Sequence, residues 1–235
     1  MKVPKYYRQK VRILELIEGE RPGTMLPTER ELADRFDTSR TTVRQALAEL
    51  VAEGRLDRVQ GRGTFVAEPK IVHVRQLTSF SEDLAGLPTD SVVLDLRVEP
   101  ANPEVAARLG VDAGEPVYRL ERVRRAGSEP LAHETAYVPG SLPDLEREFT
   151  RRGSLYETLR DAYGQRVVGA DDEVETALAS PAEAEILGTE VGLPLLVIRR
   201  TAWNRDGTVM EWTRSVFRGD RFRFHARIGE VPARV

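Results

Sequence analysis

The sequence contains no cysteine, so disulfide frameworks and thiolate metal sites are excluded. Histidine is scarce as well. His73, His133 and His225 lie far apart and show no metal-ligand spacing, so no metal is expected. No apolar run approaches the roughly 20 residues that a membrane-spanning helix needs. The N-terminal stretch MKVPKYYRQK lacks the apolar core of a signal peptide. These absences, with the reduced state that a cysteine-free chain suits, set the expectation of a cytoplasmic protein with no membrane partner. No nucleophile–base pair stands out, and GRGTFV at 61–66 is not a phosphate loop of the Walker kind. No catalytic residue is assigned and no cofactor is expected.

What is present suits a soluble globular chain. At 235 residues it accommodates one large domain or two small ones. Hydrophobic residues make up 40% and charged residues 31%. The net charge of −3 argues against nucleic acid, but its distribution is uneven. Residues 1–70 hold 14 Lys and Arg against 11 Asp and Glu, whereas the remainder holds 21 against 27. This asymmetry hints at a polyanion-binding front and a separate rear domain.

In the front segment, Tyr7, Val11, Leu14 and Ile17 recur at helical spacing and predict an apolar stripe. RPGTMLP breaks that helix. TERE then forms a capping box, with Thr28 as cap and Glu31 reaching back. A second helix is expected to bury Leu32, Ala33 and Phe36. Thr38 or Ser39 caps a third that runs to about Glu53, burying Val43, Ala46, Leu47 and Leu50, with Gly54 as C-cap. LDRV and TFVA read as two short strands joined by QGRG, whose glycines permit a tight hairpin. Helix, turn, helix and hairpin make a winged helix-turn-helix.

If the third helix buries those four residues, Arg40, Thr41, Arg44 and Gln45 project outward near its N-terminus, where free N–H groups favour phosphate. Arginine can read guanine edges bidentately and glutamine can read adenine, while threonine suits phosphate oxygens or a thymine methyl. Arg62 on the wing suits a minor groove or phosphate, and Arg30 on the middle helix would lie near the backbone. The bland alternative is that these arginines are solvated surface groups, or that the module binds protein.

The stretch LPTERELADRFDTSRTTVRQALAELVAEGRLDRVQGRGTFV resembles the winged helix-turn-helix of GntR-type bacterial transcription regulators. The resemblance implies DNA contacts from Arg30, Arg40, Thr42, Arg44 and the wing around Gly61, Arg62 and Gly63. It also implies a homodimer on a near-palindromic operator in double-stranded DNA, which fits the small surface that one such module buries.

From residue 91 the pattern changes to strand-like segments: SVVLDLRVE, PVYRLERVRRA, EPLAHETAYVP, LPLLVIRRTAWN and TVMEWTRSVFR. NPEVAARLG, SLYETLRDAYG and SPAEAEILG read as helices between them. The expectation is an α+β fold with an antiparallel sheet and helices. Alternation puts Arg122 and Arg124 on one face of their strand, Glu134 on the like face of the next, and Glu211 on that of the last. A buried arginine needs an anion. Either these groups pair among themselves inside the fold, or they face a ligand. Ser79 and Ser81 in LTSFSEDL precede a helical turn and could present donors to an anion.

The rear segment resembles the UTRA effector domain of the HutC subfamily, through LTSFSEDL, EPLAHETAYVP, SLYETL and EWTRSVFRGDRFRF. Together with VPKYYR at the start, the chain is most similar to the NagR/DasR type, which senses glucosamine-6-phosphate or N-acetylglucosamine-6-phosphate. The resemblance implies a chorismate-lyase-like fold, with Ser79, Phe80, Arg122 and Arg124 gripping phosphate. Glu134, Ser154, Tyr156 and Glu211 would hold the rest of the ligand. Two departures stand out. Phe217 occupies a position where the family has a tyrosine lining the site, and His133 stands where an aliphatic residue is usual. The expected domains are residues 1–68 (DNA binding), 69–76 (linker) and 77–235 (effector binding and dimerisation). The expected function is a ligand-controlled transcription regulator, a repressor by type, answering to a phosphorylated amino sugar. A different phosphosugar or a small carboxylate is the alternative effector. An enzyme of the same fold, or a DNA-binding protein with no effector, are the alternative functions.

Overall fold

The computed structural model describes residues 3–74 and 89–226. These form two compact units, the first comprising the chain up to Ile71 together with Gly219–Arg221, the second the rest.

In the first unit, helix α1 spans Lys5–Ile17, α2 spans Glu29–Phe36 and α3 spans Arg40–Ala52. Strands β1 (Leu56–Val59) and β2 (Gly63–Val66) close the wing as an antiparallel pair, Leu56 opposite Val66 and Val59 opposite Gly63. Helix α2 starts at the expected capping box: Glu31 N–H donates to Thr28 Oγ1 (3.3 Å) and Thr28 N–H donates to Glu31 Oε2 (2.8 Å). Ser39 caps α3, accepting from the Thr42 N–H at 3.2 Å. Leu32, Phe36, Val43, Ala46, Leu47 and Leu50 are buried with Ile13, Leu26 and Leu56 in one core. Each fully buried large aliphatic of this set contributes about 1.5–3 kcal/mol.

The apolar stripe expected on α1 is met in its second half, where Leu14 and Ile17 pack against this core, but not in its first. Tyr7 and Val11 are exposed, while Ile13 and Lys10 are buried. Lys10 Nζ donates to Glu49 Oε2 (2.9 Å) and to Glu53, which ties this buried cation of α1 to α3 and its C-cap. Gly54 follows the C-cap residue Glu53 with φ +65°. A Cβ there would lie 1.9 Å from the backbone oxygen of Asp220. The returning segment is also held by Arg221 Nη2 on Asp57 Oδ1 (2.7 Å) and by Ile71 N–H on the Arg221 oxygen (2.8 Å).

The second unit is built on a six-stranded antiparallel sheet in the order β4-β5-β6-β9-β8-β7. Its strands are β4 (Thr89–Pro100), β5 (Pro116–Ala126), β6 (Glu129–Pro139), β7 (Gly169–Leu178), β8 (Pro194–Trp203) and β9 (Val209–Arg218). Helices α4 (Pro103–Leu109), α5 (Leu145–Arg152), α6 (Leu155–Tyr163) and α7 (Pro181–Leu187) lie between strands in sequence. Leu120, Ala136 and Val138 of the sheet pack with Leu145, Phe149, Leu155 and Leu159 of α5 and α6. A two-stranded sheet pairs β3 (Ile71–Val74) with β10 (Phe222–His225). The stretch 69–76, expected as linker, therefore includes a strand. Its β-branched run finds a partner about 150 residues away, which local pattern cannot reveal.

Among the described residues no helix is long and apolar enough to cross a membrane, and no cluster of His, Asp and Glu could hold a metal ion.

Candidate nucleic-acid interface and effector site

The outward half of α3 is polar from its first residue. Arg40, Thr41, Arg44 and Gln45 are exposed and Thr42 is half-buried, while the opposite side of the helix is in the core. The Thr42 hydroxyl lies 2.8 Å from Ser39 Oγ, so it shares the cap. Arg30 on α2 is exposed and 3.9 Å from Asp34. On the wing, Gly61 and Gly63 adopt φ +72° and +128°, conformations that glycine tolerates, and this throws the exposed Arg62 outward beside the Phe65 ring, 5.9 Å from its centroid. All nine residues expected to meet DNA thus lie in one unit, exposed or half-buried.

Sequence reasoning missed one group here. Glu29, the first residue of α2, accepts from Arg44 Nη2 (2.8 Å) and Nε (3.0 Å) through one oxygen, and from Arg58 Nη2 (2.6 Å) through the other. The bond from Arg44 leads the causes that hold the Glu29 carboxyl below the usual carboxylate range.

In the second unit the sheet register assembles the other site. Arg122 lies opposite Glu134, and Glu134 opposite Ser215. One alternation along, Ala136 faces Thr213, Thr213 faces Arg200, and Arg200 faces Asp172. Arg124 lies opposite Ala132 and Ala132 opposite Phe217, while Glu211 is opposite Ala202. With a side-chain period of two, these residues share one face of the sheet. Arg122, Arg124, Glu134, Arg200, Glu211, Thr213 and Ser215 are all buried, an uncommon density of polar groups for a core.

Arg122 Nε donates to Glu134 Oε1 at 2.5 Å and its Nη2 pairs with the same oxygen. Arg124 Nη2 reaches that oxygen at 3.3 Å, and its Nη1 donates to Ser91 Oγ at 2.8 Å. The Phe149 ring lies 5.7 Å from the Arg122 guanidinium carbon. Burial would raise the Glu134 pKa, but the charges of both arginines overcome it and bring the carboxyl down to about 2. Burial and the neighbouring charge of Arg122 bring Arg124 down to about 10. Arg122 Nη1 is buried with no hydrogen-bond partner among the described residues. A buried donor left unmade costs about 1–3 kcal/mol, so its position needs a reason.

Glu211 behaves in the opposite sense. It makes no ion pair with any described residue, and burial, reinforced by the charge of Glu134, raises its pKa. The Tyr156 hydroxyl interacts with both Glu211 and Arg200, and burial leads the causes that raise its own pKa. Arg200 donates from Nε and Nη2 to the two oxygens of Asp172, both at 2.9 Å. Arg200 and Asp172 were absent from the expected site. Only the pairing of β7 with β8 brings them together, and β7 is an acid-rich edge strand without alternating apolar residues.

The remaining expected residues divide. Ser154 is the N-cap of α6, accepting from Glu157 N–H at 3.4 Å. Phe217 is buried and stacks on Phe222, their ring centroids 4.1 Å apart. His133 is on the opposite face from Glu134, and its Nε2 lies 2.7 Å from Glu121 Oε1. Ser79, Phe80 and Ser81 lie outside the described residues.

Comparison with known proteins agrees with both halves. Residues 11–66 match the bacterial regulatory proteins of the gntR family, and residues 84–223 match the UTRA domain. The HTH-type transcriptional repressor NagR of Bacillus subtilis is 39% identical over 227 residues, covering 94% of this chain and 93% of that protein. The mannosyl-D-glycerate transport/metabolism system repressor MngR of Escherichia coli is 33% identical, covering 94% of each. The crystal structure of PhnF from Mycobacterium smegmatis superposes with a TM-score of 0.67 at 34% identity, covering 94% of this chain and 98% of that one. A helix-turn-helix with a glycine-flanked wing, joined in one chain to a UTRA sheet, places this protein in the GntR family of bacterial transcription regulators, of the HutC type.

Proposed function

We propose that the protein is a repressor that binds a near-palindromic operator as a homodimer, and that a phosphorylated amino sugar, such as glucosamine-6-phosphate or N-acetylglucosamine-6-phosphate, sets its affinity for DNA. The observation that carries the effector half is the pair of buried guanidiniums, Arg122 and Arg124, with Arg122 Nη1 unpartnered among the described residues. Glu134 satisfies the edge of Arg122 formed by Nε and Nη2, and on Arg124 it meets Nη2. A phosphate oxygen is the acceptor that the Nη1 side of Arg122 suits, since guanidinium binds phosphate bidentately. At the other end of the face, Glu211 and Tyr156 suit sugar hydroxyls, because the buried carboxyl of Glu211 makes no ion pair with a described residue. A relative named for mannosyl-D-glycerate supports a sugar-derived effector.

For the DNA half, the exposed donors of α3 and the wing support entry of the helix into a major groove, with Arg40 and Arg44 on bases and Arg30, Thr41, Thr42 and Arg62 on the backbone. A dimer doubles a recognition surface that is small in one copy. Val92, Val93, Leu94 and Val98, exposed on the edge strand β4, supply apolar surface that a second copy would cover.

A thermal-shift series tests the effector reading. Ligand that binds only the native state stabilises it by about 2.7 kcal/mol at 100 times its Kd. Glucosamine-6-phosphate or its N-acetyl form should raise the melting temperature of the wild type and leave Arg122→Ala unmoved. If no phosphorylated sugar raises it while a small carboxylate does, the effector class is wrong. If nothing raises it, so is the site.

A further inference from the structure

We propose that Glu29 is a positioning residue for DNA reading: it holds the Arg44 guanidinium in one orientation before DNA arrives, and so narrows the base that Arg44 accepts. The inference rests on the reading that Arg44 meets a base edge. Three elements converge on this carboxylate, which heads α2, while Arg44 comes from α3 and Arg58 from β1 of the wing. Glu29 occupies the side-on edge of the Arg44 guanidinium, the one formed by Nε and Nη2. The end-on edge, from Nη1 to Nη2, has no other partner among the described residues. That edge is the fork that matches guanine O6 and N7.

Exposure separates the roles. The Arg44 side chain is 62% exposed and that of Arg58 46%, whereas Glu29 is only 21% exposed. The carboxylate is therefore set behind the two cations. An unpinned arginine on a helix surface visits many rotamers and settles as readily on a phosphate as on a base. A pinned one has already lost that freedom and gains little from phosphates outside its reach. The cost is one negative charge close to a polyanion, which lowers affinity for DNA of any sequence. Glu29 thus trades general affinity for discrimination.

The test uses the full-length chain and a duplex recovered from a randomised pool by selection on the wild type. Arg44→Ala identifies the base-pair position at which discrimination depends on Arg44. Glu29→Gln keeps the side-chain shape and removes the charge. It should lower discrimination at that same position by roughly 3- to 10-fold, the scale expected for freeing one long side chain. Affinity for a scrambled duplex should rise, and other positions should keep their preferences. The double variant should discriminate no worse than Arg44→Ala alone. Full discrimination retained by both Glu29→Gln and Glu29→Ala would overturn the proposal, whatever happens to their melting temperatures. A purely structural bridge predicts that pattern, a lower melting temperature with the base preference intact. If Arg44→Ala itself loses no preference anywhere, the base-reading assignment fails first and this inference falls with it.

Discussion

Glu134 touches two arginines that would otherwise repel each other in a buried site. Replacing it with alanine leaves both guanidiniums uncompensated, a change that typically costs about 3–5 kcal/mol. Urea denaturation of Glu134→Ala should show that loss, whereas loss of less than about 1 kcal/mol would mean the arginines are already neutralised elsewhere. The same residue sets a pH dependence. Its folded pKa, about 2, is below the ordinary value of 4.5, so the folded state holds fewer protons than the unfolded state between them. The contribution of Glu134 is therefore present above pH 4.5 and is lost as pH falls toward 2. Glu211, with a raised pKa, runs the other way: its contribution is complete below the ordinary carboxyl range and fades as pH rises through its folded value. Stability measured by denaturation from pH 2 to 6 should fall less steeply toward acid in Glu134→Gln than in the wild type. Matching acid limbs would contradict the assignment.

Helix α3 concentrates the DNA argument at the scale of the element. Its buried residues fix which side faces out, and its N-cap places Arg40 and Arg44 in the first two turns. Arg40→Ala or Arg44→Ala should each cost about 1–3 kcal/mol in binding to a selected operator if the residue reads a base. Wild-type affinity in both would remove the recognition-helix assignment. The turn after α3 makes a separate prediction. Gly54 combines a positive φ with a backbone neighbour where its side chain would be. Gly54→Ala should therefore lower the melting temperature, by strain worth at least about 1–2 kcal/mol from the φ alone.

Elements that carried their own signals were legible in the sequence. The capping box of α2, the burial of α3, and strands β5 and β6 follow from spacing, caps and alternation within each segment. Helix α5 and strand β7 were not expected. LEREFTRR and GADDEVETAL are dominated by charge, and their neighbours in the fold decide their structure. The site divides in the same way. Arg122, Arg124, Glu134 and Glu211 announced themselves by standing among apolar residues at strand spacing. Arg200 with Asp172, and Glu29 with Arg44 and Arg58, are defined only by contacts between segments 15 to 29 residues apart. Such pairings carry no local pattern.

At the scale of the whole molecule, regulation requires that effector binding change the affinity for DNA. Strand β9, which carries Glu211, Thr213 and Ser215, continues directly in sequence into Gly219–Arg221, which belong to the DNA-binding unit. This continuity supplies a covalent route for coupling. A coupling of about 1–3 kcal/mol, enough for a 5- to 150-fold change in operator affinity, lies within the usual range. Operator titration with and without saturating glucosamine-6-phosphate, on wild type and Arg122→Ala side by side, tests the central claim most directly. The account predicts that the sugar phosphate changes wild-type affinity by about 5- to 150-fold and leaves that of Arg122→Ala unchanged. Equal wild-type affinity in both conditions, or an undiminished response in Arg122→Ala, would contradict it.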